Sequence, residues 1–131
     1  MSEDAQLLLA AAELAREQAY APYSHLFVGA AVMGSKGKMY AGCNVENASY
    51  GLSICAERAA IFAAITAGER RIQGLAVVSS AGEPSMPCGA CRQVIQEFAA
   101  SPEMPVALAG AKGAMVELTL AELFPYPFAL P

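Results

Sequence analysis

Apolar positions along this chain follow helical spacing in three long stretches and strand-like runs in five. From about Asp4 to Tyr20, Leu7, Ala11, Leu14 and Gln18 fall at the spacing of one helix face, and Pro22 stops any continuation. Phe27 to Met33 and Met39 to Asn44 flank Gly34-Ser35-Lys36-Gly37, the pattern of an antiparallel hairpin. A second helix is predicted from about Cys55 to Ala67, closed by Gly68, and a third from about Cys88 to Phe98. An apolar strand near Leu75 to Ser79 lies between them. Strands near Val106 to Ala109 and Met115 to Leu118 lead to a short helix whose N-cap is Thr119. The run Leu75-Ala76-Val77-Val78 lacks alternation, so the sheet must be covered on both faces. The expected class is α/β, a three-layer α/β/α arrangement with a mixed five-stranded sheet in a single domain spanning 1–131.

Composition narrows what such a domain does. The chain is 56% hydrophobic against a usual ~45 to 50%. The excess points to subunit contacts, although alanine supplies part of it. A net charge of −4 without clustered Lys and Arg argues against a phosphate-backbone footprint, so no nucleic-acid partner is expected and the substrate reads as small and uncharged. No stretch is long enough to span a bilayer, and Glu3, Asp4 and Glu13 break the pattern of a signal peptide. A cytoplasmic location and no membrane partner are therefore expected. In a reducing compartment four cysteines are better explained by metal than by disulfides.

The cysteines carry the chemistry. Cys88 and Cys91 in Pro87-Cys88-Gly89-Ala90-Cys91 are three apart, which on a helix start puts both sulfurs on one face. Alone, a C-x-x-C serves redox proteins and structural zinc modules equally well. Cys55-Ala56-Glu57 changes that balance, because the established signature of zinc deaminases, H-x-E followed by P-C-x-x-C, has a three-cysteine variant. Cys55, Cys88 and Cys91 are the candidate Zn2+ ligands. With water they complete a tetrahedron, which leaves Glu57 free to move protons, although a glutamate near a helix start also serves simply to complement the dipole. Cys55 and Cys88 both stand where a loop enters a helix, where free amides and the partial positive charge favour thiolates.

Arg58, three residues after Cys55, is a candidate partner of a thiolate, withdrawing charge from an electron-rich metal site; the plain alternative is a solvated helix arginine. Gln93 is a weaker candidate for the same role. Cys43 reads as a small buried hydrophobe, and His25 as structural or solvent-facing. Asn44 and Glu46 are two apart at a strand end, so both side chains can grip a diol, while an isolated N-x-E serves equally as turn chemistry.

Taken together, Tyr20-Ala21-Pro22-Tyr23-Ser24, Val28-Gly29-Ala30-Ala31, Gly42-Cys43-Asn44-Val45-Glu46-Asn47, Cys55-Ala56-Glu57-Arg58 and Pro87-Cys88-Gly89-Ala90-Cys91-Arg92-Gln93 resemble the small homotetrameric cytidine deaminases over almost the full length. The resemblance implies hydrolytic deamination of cytidine and deoxycytidine in pyrimidine salvage, with zinc-activated water attacking C4 and Glu57 as the catalytic proton carrier. It implies that Asn44, Val45 and Glu46 contribute to substrate binding, with Asn44 and Glu46 on the ribose hydroxyls. The Ala56 amide and the carbonyl before Pro87 would read the pyrimidine, and Phe128 would reach a neighbouring subunit's site. Where the family usually carries an aromatic residue against the nucleoside, this chain has Leu26, with Phe27 one place later. Alternation on entering a strand then directs Leu26 into the pocket and Phe27 away from it. Two other readings share part of these motifs. One is a blasticidin-type antibiotic deaminase; the other is a non-catalytic structural zinc module, in which Cys43 would complete the tetrahedron.

Overall fold

A computed structural model describes residues 1–131. The elements run α1 (Glu3–Arg16), β1 (Val28–Gly34), β2 (Met39–Cys43), a single 3-10 turn (Tyr50–Leu52), α2 (Ala56–Thr66), β3 (Ile72–Ser79), α3 (Gly89–Phe98), β4 (Pro105–Ala109), β5 (Met115–Thr119) and α4 (Leu120–Leu123). The five strands form one sheet in the order β2-β1-β3-β4-β5. Only β3 and β4 run parallel, joined by the α3 crossover; the other neighbours are antiparallel. The mixed five-stranded sheet between helices is the architecture the sequence predicts.

The sheet's two faces are packed differently. On one side α1 alone lies across Ala31, Met33, Ala76, Val78 and Ala107 through Ala5, Leu8 and Ala12. On the other, α2 and α3 bury Ala60, Ile61 and Ile95 against Val32, Leu75, Val77, Val106 and Leu108, with Leu120 and Leu123 closing the end. Side chains of paired strand residues share a face, so Ala30 and its partner Gly42 both point toward α2. A Cβ on Gly42 would lie 2.6 Å from the Ala60 nitrogen, and one on Gly29 would lie 1.9 Å from the Ala12 carbonyl oxygen. Both helices therefore touch the sheet backbone to backbone, a spacing only glycine permits.

Two element boundaries and one helix face differ from the sequence reading. Helix α1 ends at Arg16 rather than Tyr20, because Tyr20 is drawn into extended pairing: its amide donates to Asn44 O at 3.0 Å and its carbonyl accepts from Glu46 N at 2.8 Å. The buried face of α1 is also offset from the expected one, since Ala5, Leu8 and Ala12 are buried while Leu7 and Leu14 are 46% and 68% exposed. Strand β3 begins at Ile72, three residues before Leu75. Thr119 caps α4 as expected, in a reciprocal capping box with Glu122.

Glu69, in the loop between α2 and β3, fastens the β1–β2 hairpin to that layer. Its carboxylate accepts from the Ser35 amide and hydroxyl at 3.0 Å each and from the Tyr40 hydroxyl at 2.9 Å. These bonds, the Ser35 amide first, hold its pKa below the ordinary glutamate value. A carboxyl whose folded pKa is depressed adds stability above its unfolded pKa and loses it as pH falls through the folded one. Glu69→Gln should therefore melt at a lower temperature than wild type at pH 7, with the gap closing as both are taken below about pH 4. Equal melting temperatures at pH 7 would show that this fastening is energetically silent.

Candidate functional site

Two helix starts meet at the site. Cys55 is the N-cap residue of α2 and Cys88 that of α3, both with extended backbone, which places both at the positive ends of their helices. Cys88 Sγ accepts from the Cys91 amide at 3.5 Å. The sulfurs of Cys55, Cys88 and Cys91 lie within 4.8 Å of one another, and those of Cys55 and Cys88 are 3.9 Å apart. Two sulfurs each about 2.3 Å from one tetrahedral zinc stand about 3.8 Å apart, so the Cys55–Cys88 pair is already at zinc spacing and Cys91 completes a set of the right size. The spacing is far too long for a disulfide. Cys43 is half-buried at the end of β2 and is not part of the cluster, so a four-cysteine site does not form.

Charge around the sulfurs is arranged to favour thiolate. The Cys55 pKa falls to about 5, chiefly through its hydrogen bond with Cys91, with Arg58 and Cys88 helping and burial opposing. Cys91, fully buried, is pushed upward by the same pairing and by its burial. Arg58 Nη2 donates to Cys55 Sγ at 3.5 Å, and the thiolate raises the guanidinium pKa in return. Its Nε is buried without a partner.

Beside the cysteines opens a cavity of about 330 Å³, in the range that accepts a small organic ligand. Glu57 lines it at 6% exposure, and burial raises its pKa to about 7, with the Cys55 charge adding and Arg58 opposing. Leu26, Asn44, Glu46 and Ala56 stand in the same wall, together with Cys55 and Cys88. The Asn44 amide is held at both ends: Oδ1 accepts from Val28 N at 2.9 Å and Nδ2 donates to Leu26 O at 2.8 Å. One amide hydrogen remains free for a ligand. Glu46 accepts from the Tyr23 and Ser24 amides at 3.0 and 3.1 Å and from the Ser24 hydroxyl. The Ser24 hydroxyl is the main cause of its lowered pKa, which keeps it an acceptor-only carboxylate.

Other expected residues lie elsewhere. Val45 does not line the cavity, because its amide and carbonyl are paired with Ile54 at 2.9 Å each and its side chain is 48% exposed. Gln93 sends its Nε2 to Phe128 O at 2.9 Å instead of to a sulfur. Phe128 is 66% exposed and lies outside the cavity of its own chain. Leu26 faces the cavity and Phe27 does not, as strand alternation requires. His25 is exposed, with φ of 58°, and this left-handed residue ends the turn that presents Ser24 to Glu46.

Sequence reasoning did not single out Ser24, Ser79 or Ser85, and it used Met86 only through its carbonyl, the one before Pro87. Ser85 and Met86 line the cavity, and Ser85 donates to the buried Ser79 hydroxyl at 3.2 Å. Their loop, rich in Gly, Pro and Ser, carries only a turn signal. Arg92 stood in a quoted motif without a role, although its place directly after Cys91 was a usable clue.

Comparison with known proteins agrees with this geometry. A family model described as the cytidine and deoxycytidylate deaminase zinc-binding region matches residues 1–107. A cytidine deaminase of Sporosarcina psychrophila is 48% identical over 126 residues, covering 96% of this chain and 92% of that protein. One from Halalkalibacterium halodurans is 46% identical over 95% of this chain and 94% of its own length. The crystal structure of cytidine deaminase from Burkholderia pseudomallei superposes with a TM-score of 0.89 at 46% identity, covering 98% of this chain and all of that one. Likeness of this degree, running through sequence and fold alike, places the chain in the family of zinc-binding cytidine and deoxycytidylate deaminases.

Proposed function

We propose that this protein converts cytidine and deoxycytidine to uridine and deoxyuridine by hydrolysis, releasing ammonia. The observation that carries the reading is a buried carboxyl, Glu57, sharing one cavity wall with two sulfurs of the three-cysteine cluster. Zinc held by Cys55, Cys88 and Cys91 supplies the Lewis acidity that makes water a nucleophile at neutral pH. Glu57 takes a proton from the attacking water and gives it to ring N3 so that C4 accepts the new C–O bond, then takes the second proton from the C4 hydroxyl so formed and gives it to the departing amine. Water's oxygen stays on C4 and the amino group leaves as ammonia, so no further reactant is needed.

Binding falls to the opposite side of the cavity. The ionised Glu46 accepts from ribose hydroxyls, while the remaining amide hydrogen of Asn44 donates to one. Both groups are held in place by backbone before substrate arrives, which lowers the ordering cost of binding. They favour a nucleoside over an antibiotic lacking the diol. The Ala56 amide, at the start of α2, and the Met86 carbonyl complete the pyrimidine contacts in this reading. Arg58 offsets the charge of the thiolates. The proposal also includes a homotetramer acting in the cytoplasm, in which Phe128 packs over a neighbouring subunit's substrate. Its support is exposed apolar surface: Tyr126, Phe128 and Leu130 on the tail, and Tyr20, Tyr50, Leu52 and Phe62 elsewhere.

Glu57→Gln should keep the fold and bound zinc while turnover of cytidine, followed as ammonia release, drops by several orders of magnitude, since acid and base steps of ~10²–10⁴-fold each are lost together. Cys88→Ala should lose zinc as well as activity. Near-normal turnover in the first, or full metal content in the second, would reject the role concerned.

Leu26→Phe should restore a stacking surface worth about 0.5 to 1.5 kcal/mol, lowering KM by up to about tenfold with little change in kcat. Phe27→Leu should mainly cost stability. A sharp rise in KM for Phe27→Leu without loss of stability would instead identify Phe27 as the substrate contact. Sedimentation of the zinc-loaded protein should give a tetramer, and a fully active monomer would exclude a site shared between subunits.

A further inference from the structure

Two adjacent side chains on α3 turn away from the cavity and hold the end of the chain. Arg92 Nε donates to Pro87 O at 2.8 Å, and Arg92 Nη1 donates to Leu123 O at 2.6 Å. Gln93 Nε2 donates to Phe128 O at 2.9 Å. Past Phe124 the chain makes no backbone-to-backbone hydrogen bond. Tyr126, Phe128 and Leu130 are mostly exposed, so apolar burial does not pin this segment either. Within its own subunit, the Gln93 bond and the Arg92 fork at its root are what fix it.

The same fork grips the metal site. Pro87 is buried, and its carbonyl belongs to the peptide that delivers Cys88; Arg92 itself directly follows Cys91. Both arms are charge-assisted and short, which makes them the strong class of hydrogen bond. The planar guanidinium fixes the angle between the arms, which a lysine ammonium cannot do.

We propose that Arg92 is a positioning residue that sets the Pro87–Cys88 peptide for metal binding and, through Leu123, links that binding to the ordering of residues 124 to 131. With Cys88 held by a metal, the Pro87 carbonyl would be restrained, the carbonyl would steady the guanidinium, and the second arm would steady Leu123. Linkage is reciprocal, so an ordered tail must tighten metal binding by the factor with which metal orders the tail. The inference rests on zinc occupying the three-cysteine site. It is read from metal affinity and tail order, so a failure of cytidine turnover would leave it standing and would sink the deamination reading alone.

The test compares wild type, Arg92→Met and Arg92→Lys, zinc-loaded and chelator-stripped. Zinc affinity is measured by competition with a chromogenic chelator. Tail order is measured as backbone order parameters from 15N relaxation at Phe124, Tyr126, Phe128, Ala129 and Leu130, the tail positions that are not proline. In wild type, stripping zinc should drop these values from about 0.85 to below about 0.6. Arg92→Met should bind zinc ~10- to 100-fold more weakly, and its tail should be mobile whether or not zinc is present. Arg92→Lys, keeping charge but not the fork, should fall between. A wild-type tail indifferent to zinc, or wild-type zinc affinity in Arg92→Met, overturns the proposal. Should Arg92→Met fail to fold, Gln93→Ala tests the link from the tail side: reciprocity requires weaker zinc binding as well as a more mobile tail, and unchanged affinity refutes it. Sedimentation accompanies each sample, and a change in tail order that appears only with subunit dissociation also counts against the link.

Discussion

Helix α2 can lie where it does only because the sheet beneath it has no side chain at Gly42. The Ala60 nitrogen occupies the space a Cβ would take, so helix and strand meet at backbone distance. That contact fixes the depth of the whole helix, and its first turn carries Cys55, Ala56 and Glu57. A bulkier residue at this position would lift the helix and move sulfur, amide and carboxyl together. Packing at one glycine thus sets the position of groups three to five residues away from Ala60 along α2.

Electrostatics then makes the position useful. Two helix starts bring amides and partial positive charge to sulfurs that must be ionised to hold a metal, and Arg58 adds a full charge from the same helix face. Glu57 sits one turn of chain from these groups but in a drier place, and its raised pKa follows from that burial. The contrast between a thiol pushed down and a carboxyl pushed up within three residues is a product of environment, since neither residue type differs from its ordinary form.

What the chain disclosed before its structure divides along physical lines. Hairpin, helix starts and the cysteine pair were legible because each depends on neighbours in sequence: Gly37 adopts the positive φ the turn requires, and the sulfur spacing is local to α3. The buried face of α1 was not legible, because Leu7-Leu8-Leu9-Ala10-Ala11-Ala12 is apolar in every direction and periodicity cannot choose among its faces. The choice is made by the sheet, where Gly29 admits Ala12. The partnership of Ser24 with Glu46 was hidden for a different reason. It depends on a left-handed residue at His25, and histidine does not announce that conformation as glycine would. Ser85 acquires meaning only when its loop folds back over the cavity and its hydroxyl meets Ser79 at the end of β3.

The unlike faces of the sheet give this protein two opposite sensitivities to mutation. Under α1 the strands present mostly Gly29, Ala31, Gly74, Ala76 and Ala107, with Met33 and Val78 the larger exceptions, so substitution there can seldom remove atoms and harm comes from adding them. Under α2 and α3 they present mostly Val32, Leu75, Val77, Val106 and Leu108, with Ala30 and Gly42 the small exceptions, and the common injury is an empty space. Overfilling a packed interior costs about 1 to 3 kcal/mol, and truncating a large aliphatic about 2 to 5. Sequence drift in this fold is therefore bounded chiefly by a ceiling on side-chain volume on one side of the sheet and chiefly by a floor on the other.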